Sequence, residues 1–220
     1  MCPSESAPSH VRARERMVAR HLEARGIRDR RVLDAMRAVP RELFVPHALA
    51  DDAYADAPLP IGHGQTISQP YIVALTAEAA RLSPGERVLD VGTGSGYAAA
   101  VYAAMGAEVW SIELLPELAE RARASLAAAG SSGVRVVTGD GSRGLPEHAP
   151  FDAIVAAAAG ARIPPPWRDQ LADGGRIVAP LEDRWGEQRL IHLMRHGDRE
   201  EIDDLGEVRF VPLRGEHADG

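Results

Sequence analysis

Glycines and an acidic residue in the middle of the chain form a pattern that suits nucleoside binding. An apolar run that contains Asp90 leads into Gly92-Thr93-Gly94-Ser95-Gly96, where glycines recur at every second position. A strand that turns through glycines into a helix lets a ligand lie against the backbone and the first N–H groups of the helix. The spacing differs from the G-x-G-x-x-G of dinucleotide sites. The Asp90 carboxylate also suits an ammonium group better than a pyrophosphate.

Two further acidic residues follow the next two predicted strands. Glu113 lies 19 residues beyond Gly94, which fits the rule that an acid about 20 residues after the glycines bonds ribose hydroxyls. Asp140 stands between two glycines, where it can reach an adenine amino group while Gly141 leaves room for the ring. Three acids at successive strand ends favour a nucleoside site over the alternative that each acid only caps a helix.

The segments around these acids alternate between strand and helix patterns. Apolar runs predict strands over 88–91, 108–112, 134–138, 151–156 and 176–179, with helices over 97–105, 116–129 and 166–171. Helices are also predicted over 17–24, after Asp29 and over 71–81, and strands over 189–194 and 208–211 end the pattern. This order predicts an α/β fold, with a parallel sheet between helices and ligands at the carboxyl ends of the strands.

The composition excludes several kinds of chemistry. There is no lysine, so neither a P-loop lysine nor a Schiff-base lysine is present. Cys2 is the only cysteine, which excludes disulfides and thiolate zinc sites, and no metal is expected. The formal net charge of −7 argues against nucleic acid as a partner. No apolar run is long enough to cross a membrane and no signal core is evident, so a cytoplasmic location is expected.

The N-terminal end is rich in arginine. Residues 1–16 combine proline, serine, glutamate and arginine, and they are predicted to form a disordered extension. The arginines clustered at this end are interpreted as a solvated helical face rather than a binding patch. They are Arg12, Arg14, Arg16, Arg20, Arg25, Arg28, Arg30 and Arg31.

Two stretches resemble one enzyme family. The run Leu59-Pro60-Ile61-Gly62-His63-Gly64-Gln65-Thr66-Ile67-Ser68-Gln69-Pro70-Tyr71 resembles the signature loop of protein-L-isoaspartate O-methyltransferases. Residues 90–97 resemble the S-adenosylmethionine loop of the same class I methyltransferases, and residues 139–141, 149–152 and 208–213 are similar to further parts of the family. The resemblance implies a Rossmann-like, doubly wound and mostly parallel sheet of about seven strands, with an N-terminal helical cap and a C-terminal antiparallel strand pair.

The resemblance also implies a domain plan and an activity. A single methyltransferase domain over 17–213 would comprise a cap with the signature loop (17–82), a cofactor-binding core (83–182) and C-terminal strands (183–213), followed by a tail (214–220). Members of the family move a methyl group from S-adenosylmethionine to the free α-carboxylate of an L-isoaspartyl residue in damaged protein, leaving S-adenosylhomocysteine. The ester collapses to a succinimide that partly reopens as aspartate. Implied partners are isoaspartyl proteins or peptides, with no nucleic acid, no membrane and a monomeric state.

By the same resemblance, Ser68 matches the active-site serine. The implied cofactor-binding residues are Thr66, Ile67, Asp90, Gly92, Thr93, Gly94, Ser95, Gly96, Glu113, Leu114, Asp140, Gly141 and Gln188. The implied substrate-binding residues are Ile61, His63, Val208 and Val211.

The proposed chemistry needs no strong base, because an α-carboxyl group with a pKa of about 3.3–3.7 is already ionised at neutral pH. Ser68 is therefore predicted to position the carboxylate without attacking it, and the alternative is that Ser68 only caps the helix that begins near Pro70. His63 could act as a general base, but a surface or packing role is favoured.

Other functions stay open from the sequence. One is a family member that methylates an aspartate or another carboxylate in a dedicated peptide, since Ala157 stands where the family usually has threonine. A second is a non-catalytic nucleoside-binding module, and a third is a nicotinamide dehydrogenase, which the glycine spacing disfavours. A nucleic-acid amino-methyltransferase is disfavoured because Ala157-Ala158-Ala159-Gly160 replaces the expected Asn/Asp-Pro-Pro-aromatic run.

Overall fold

The computed structural model describes residues 7–218, which begin with a helical cap. The cap opens with α1 (Ala7–Met17), a short π-helical segment (Val18–Leu22) and a 3-10 turn (Glu23–Arg25). It continues with α2 (Arg30–Ala38), whose first turn is capped by the Asp29 carboxylate, an acceptor for the backbone N–H of Arg31 at 2.8 Å. Two further 3-10 turns cover Arg41–Phe44 and His47–Asp52.

A hairpin connects the cap to the sheet. Its strands, β1 (Leu59–Gly62) and β2 (Gln65–Ile67), pair antiparallel and carry the signature loop. Helix α3 (Pro70–Ala80) follows at once. Proline suits this first helical position because its missing N–H would have no partner there.

The central sheet has seven strands, most of them parallel. In chain order the remaining α-helices and strands are β3 (Arg87–Val91), α4 (Tyr97–Ala104), β4 (Glu108–Glu113), α5 (Pro116–Ala128), β5 (Arg135–Thr138), β6 (Phe151–Ala156), β7 (Ala158–Ala159), α6 (Pro165–Asp169), β8 (Leu171–Glu182), β9 (Gln188–His196), β10 (Arg199–Glu207) and β11 (Val211–Pro212), with 3-10 turns over Gly141–Arg143 and Pro146–His148 between β5 and β6. The sheet order is β10-β9-β8-β6-β3-β4-β5, with β9 antiparallel to both of its neighbours. The predicted Rossmann-like sheet and its C-terminal antiparallel pair are confirmed.

Apolar side chains fill both faces of this sheet. Val88 packs into a cluster with the cap, whereas the next residue, Leu89, faces a second cluster that contains Trp110 and Trp167. Trp110 lies in that core, with its ring centroid 6.2 Å from the Phe151 ring. The strand β3 is therefore buried on both faces, which fixes the loop at its carboxyl end.

Two predictions about the chain ends differ from the structure. Residues 7–16, part of the predicted disordered extension, are helical in α1, because their alanines and arginines favour a helix; residues 1–6 lie outside the described range. The last long strand covers 199–207 instead of 208–211. Its charged side chains are exposed at the edge of the sheet, so it lacks the apolar alternation that marks a half-buried strand.

Candidate active site

A cavity of about 710 Å³ opens at the carboxyl ends of β3 and β4. The glycine loop after β3 lines one side, β2 and the start of α3 line a second, and residues 205 and 207–214 line a third. The cavity is thus bounded by the three segments that the sequence singled out. The predicted site residues that line it are Thr66, Ile67, Ser68, Gly92, Thr93, Gly94, Ser95, Glu113, Leu114, Gly141, Val208 and Val211.

The glycine loop has a backbone that only glycine adopts without strain. Gly92, Gly94 and Gly96 have φ angles of 89°, 54° and 89°. The loop is closed by a hydrogen bond from the N–H of Gly96 to the carbonyl of Thr93 at 2.8 Å. Gly96 does not line the cavity; a Cβ there would lie 3.2 Å from Leu126 of α5, so this glycine allows α5 to pack closely.

Glu113 lies at the edge of the cavity, where the sequence predicted a ribose contact. One carboxylate oxygen accepts the N–H of Gly94 at 2.8 Å, and the other accepts the N–H of Leu115 at 3.0 Å. Each oxygen keeps a further lone pair. The carboxylate therefore fixes the loop and can still accept hydroxyl groups of a ligand.

Asp90 does not line the cavity, contrary to the predicted contact with an ammonium group. It is buried beneath the loop, where it accepts a hydrogen bond from Ser111 Oγ at 2.6 Å, and Ser111 Oγ lies 2.6 Å from Thr93 Oγ1. Burial raises the pKa of Asp90 to about 7, against the effect of the Ser111 hydrogen bond. We infer that Asp90 supports Thr93 from below the loop, through the Ser111 hydroxyl.

Asp140 also lies outside the cavity lining, and the C-terminal tail (residues 214–218) covers it. Asp140 Oδ1 accepts the N–H and the hydroxyl of Ser142 at 2.9 and 2.7 Å, while Oδ2 accepts the N–H of Glu216 at 2.8 Å. Burial alone would raise the pKa of Asp140, but these hydrogen bonds outweigh it and hold the pKa below its usual range. Gly141 does line the cavity, and its carbonyl accepts Trp167 Nε1 at 2.9 Å.

Ser68 is half-buried in the cavity wall, two residues before α3 begins. The residue that caps α3 is Gln69, and within the described part of the chain no side chain bonds the free N–H groups at this helix end. The interpretation of Ser68 as a helix cap is therefore not supported, whereas the residue itself lines the cavity.

Arg41 holds the Ser68 peptide from behind. Its Nη2 donates to the carbonyl of Ser68 at 2.8 Å, and its Nε donates to the carbonyl of Ala53 at 2.7 Å. The side chain is fully buried, and this burial lowers the pKa of Arg41 to about 10. The guanidinium lies 4.7 Å from the ring centroid of Tyr97, whose face attracts a cation.

Three other predicted site residues lie beside the cavity instead of lining it. Gln188 clamps Phe210: its Oε1 accepts the N–H of Phe210 at 2.7 Å and its Nε2 donates to the carbonyl at 3.2 Å. Gln188 thus holds the wall of the cavity and is not among the residues that line it. Ile61 is buried behind Gly94. His63 is exposed at the hairpin turn, with a φ of 54°, which gives no support to a role as general base.

Comparisons with known proteins give the family. A family model for protein-L-isoaspartate(D-aspartate) O-methyltransferase matches residues 12–218. The chain belongs to this family. It is 55% identical over 216 residues to protein-L-isoaspartate O-methyltransferase 1 of Rhodopseudomonas palustris, covering 98% of this chain and 88% of the relative. It is 59% identical over 211 residues to the Methylorubrum extorquens enzyme of the same name, covering 96% and 92%.

Solved structures agree with the family and with the fold. One protein-L-isoaspartate O-methyltransferase superposes with a TM-score of 0.83 at 29% identity, over 94% of this chain and 67% of that one. A Plasmodium falciparum protein-L-isoaspartate O-methyltransferase, solved in complex with S-adenosyl-L-homocysteine, gives a TM-score of 0.80 at 26% identity, over 93% and 98%.

The described part of this methyltransferase contains neither a candidate metal site nor a membrane-spanning helix. Among residues 7–218, no group of three or more His, Cys, Asp or Glu side chains is placed to hold a metal ion. In the same range, none of the helices has the length and apolar character that a bilayer crossing needs.

Sequence reasoning missed two parts of the methyltransferase site. No sequence signal marks Arg41 as buried except its place directly after Pro40, because arginine is mostly exposed in proteins. The sequence predicts no role for the tail, although Gly215 is a signal of a close approach to another part of the chain. Its φ is 142°, and a Cβ there would meet Asp140 Oδ1 at 1.9 Å, so only glycine lets the tail pass this carboxylate.

Proposed function

We propose that Ser68 and the start of α3 hold the substrate carboxylate of this S-adenosylmethionine-dependent protein-L-isoaspartate O-methyltransferase. The enzyme methylates the free α-carboxylate of L-isoaspartyl residues, which begins repair through a succinimide. The observation that supports the assignment of roles is a single cavity bounded by the glycine loop on one side and by Ser68 on the other.

The residues present fit the cofactor. The glycine loop leaves backbone open to a ligand, and the Glu113 carboxylate can accept ribose hydroxyls. We propose that these residues, with Thr66, Leu114 and Gly141, form the cofactor side of the cavity. When bound, S-adenosylmethionine supplies an electrophilic methyl group.

The substrate side needs groups that place a carboxylate and exclude water. The Ser68 hydroxyl can donate to one carboxylate oxygen and leave the other free to react. The N–H groups at the start of α3 carry partial positive charge, and no side chain among residues 7–218 caps them. The wall over 208–213 shields the same space. No residue has to remove a proton, because the α-carboxylate is ionised at neutral pH.

The variants S68A and S68T test this role on an isoaspartyl peptide. A hydrogen bond to a charged group contributes about 1.5–3 kcal/mol, so we expect S68A to lower kcat/KM by roughly 10- to 100-fold. S68T, which keeps the hydroxyl, should recover part of the rate. The Kd of S-adenosylhomocysteine should stay within about twofold in both variants. Equal losses of transfer and of cofactor affinity would contradict the positioning role.

We propose further that the enzyme acts as a monomer in the cytoplasm and does not act on nucleic acid. The net charge of −7 supports the last point, since a nucleic-acid partner favours a basic surface. Light scattering after size exclusion, at micromolar protein, would test the monomer. A panel of unrelated isoaspartyl peptides would separate a general repair enzyme from one with a dedicated substrate.

A further inference from the structure

The mouth of the cavity carries arginines that the activity itself does not explain. Arg209 and Arg214 line it from the substrate wall, and both are exposed. Arg25 lines it from the helical cap on the facing side. The sequence pattern predicts that Arg25 is one of the solvated arginines of the N-terminal end, whereas the fold brings it to the substrate side of the cavity.

Arg25 is held in a defined position. Its guanidinium lies 3.6 Å above the ring centroid of Tyr71, the second residue of α3, and its Nη1 donates to Asp56 Oδ2 at 2.8 Å. Hydrogen bonds within residues 7–218 use only this one nitrogen of the guanidinium. Nε and Nη2 therefore remain available to a ligand. Because Tyr71 follows Ser68 by three residues, Arg25 lies beside the segment that holds the reacting carboxylate.

Acidic side chains around the cavity offset part of this charge, since Asp56 forms an ion pair with Arg25 at 2.8 Å. Glu113 accepts two backbone N–H groups, one from Gly94 in the glycine loop and one from Leu115. Glu207 lies 3.9 Å from Arg189. In contrast, Arg209 and Arg214 have no ion pair within the described part of the chain. The cavity mouth therefore carries two guanidinium groups, of Arg209 and Arg214, that no acidic side chain of residues 7–218 offsets, although the whole protein carries a net charge of −7.

We propose that this cationic mouth, formed by Arg25, Arg209 and Arg214, selects isoaspartyl sites that have acidic residues beside them in the substrate. The inference rests on the proposed function. The reacting carboxylate is assigned to Ser68, where one oxygen must stay free. The arginines are at the rim and exposed, which suits the side-chain carboxylate of a neighbouring residue. Association should accordingly be faster and tighter for acidic peptides and should weaken with salt.

The test uses two isoaspartyl peptides that differ only in flanking residues, glutamate in one and glutamine in the other. Exposed ion pairs are individually weak, so we expect kcat/KM of the wild-type enzyme to be about 3- to 10-fold higher for the glutamate peptide at low salt. The ratio should fall towards one at about 0.5 M salt. The double variant R209Q/R214Q and the single variant R25Q should each lower the ratio.

A matched control is R12Q/R20Q, which removes the same charge from exposed positions outside the cavity lining. It should keep the wild-type ratio. A ratio near one in the wild type would overturn the inference, and so would an equal fall of the ratio in the control and in R209Q/R214Q. Neither result would contradict the methyltransferase activity. Failure of the wild type to methylate either peptide would instead contradict the proposed function. Circular dichroism and the Kd of S-adenosylhomocysteine verify that each variant is folded.

Discussion

Replacement of Arg41 by methionine separates the stability of the fold from the placement of Ser68. The variant loses two charged hydrogen bonds, to the carbonyls of Ala53 and Ser68. Leaving the buried acceptor of Ala53 and the partly buried acceptor of Ser68 without partners costs at most about 1–3 kcal/mol each, or roughly 2–6 kcal/mol together. Burial lowers the pKa of Arg41 to about 10 from 12.5. At about 1.4 kcal/mol per pKa unit, keeping this side chain charged costs the folded state roughly 3 kcal/mol. R41M removes that cost.

The two effects nearly offset each other, so we expect R41M to lower the free energy of unfolding by only about 1 kcal/mol and by no more than roughly 3 kcal/mol. Methyl transfer should suffer more, because the Ser68 peptide loses its anchor, and a displacement of about 1 Å can cost roughly 100-fold in rate. The Kd of S-adenosylhomocysteine should stay within about twofold, since the glycine loop is untouched.

Urea unfolding, calorimetric titration and transfer to an isoaspartyl peptide measure the three quantities. R195M is the matched control, because Arg195 Nη1 also donates to two backbone carbonyls, of Arg168 and Leu171, far along the chain from the signature loop. R195M should change stability and leave kcat/KM near the wild-type value. Unchanged transfer in R41M, or parallel loss of transfer and cofactor affinity, would refute the reasoning.

Three further predictions concern the loop, the buried acid and the tail. E113Q should weaken S-adenosylhomocysteine binding by about 10-fold or more in calorimetric titration, because the amide accepts hydroxyl groups less well and its NH2 group cannot accept the backbone N–H that one carboxylate oxygen accepts; unchanged affinity would exclude the ribose contact. Burial raises the pKa of Asp90 to about 7 from 3.8, so the folded state binds the proton more tightly than the unfolded state does. Stability should therefore fall as the pH rises from about 4 to about 7, by up to roughly 4 kcal/mol, and D90N should flatten this slope in urea titrations; an equal slope in D90N would contradict the assignment. G215A places a Cβ against Asp140 and should speed hydrogen exchange at Glu216 and His217; wild-type protection there would show that the tail tolerates the methyl group.

The sheet and the glycine loop were predictable because their signals are local. Short apolar runs punctuated by glycine and proline mark β3 to β6 and their helices, and the capping role of Asp29 follows from its place before α2. The signature loop was assigned by resemblance to a family, which also implied the partly antiparallel end of the sheet.

Contacts between distant parts of the chain were not predictable in this way. Asp140 meets Glu216 across 76 residues, and no local pattern marks that pairing. Arg41 is buried against the usual preference of arginine for the surface. Asp90 was assigned by residue type and position alone. Its depth below the loop reflects the position of β3 between β4 and β6, and its hydrogen-bond partner there, Ser111, belongs to β4.

The most direct test of the account compares two synthetic peptides that are identical except for the linkage of one aspartyl residue. In one peptide the main chain passes through the side-chain carboxyl and leaves the α-carboxylate free, and in the other the linkage is normal. With labelled S-adenosylmethionine at saturation, we predict base-labile methyl incorporation into the isoaspartyl peptide at a rate at least about 100-fold above that of its aspartyl twin. Equal rates, or labelling of the aspartyl peptide alone, would contradict the account.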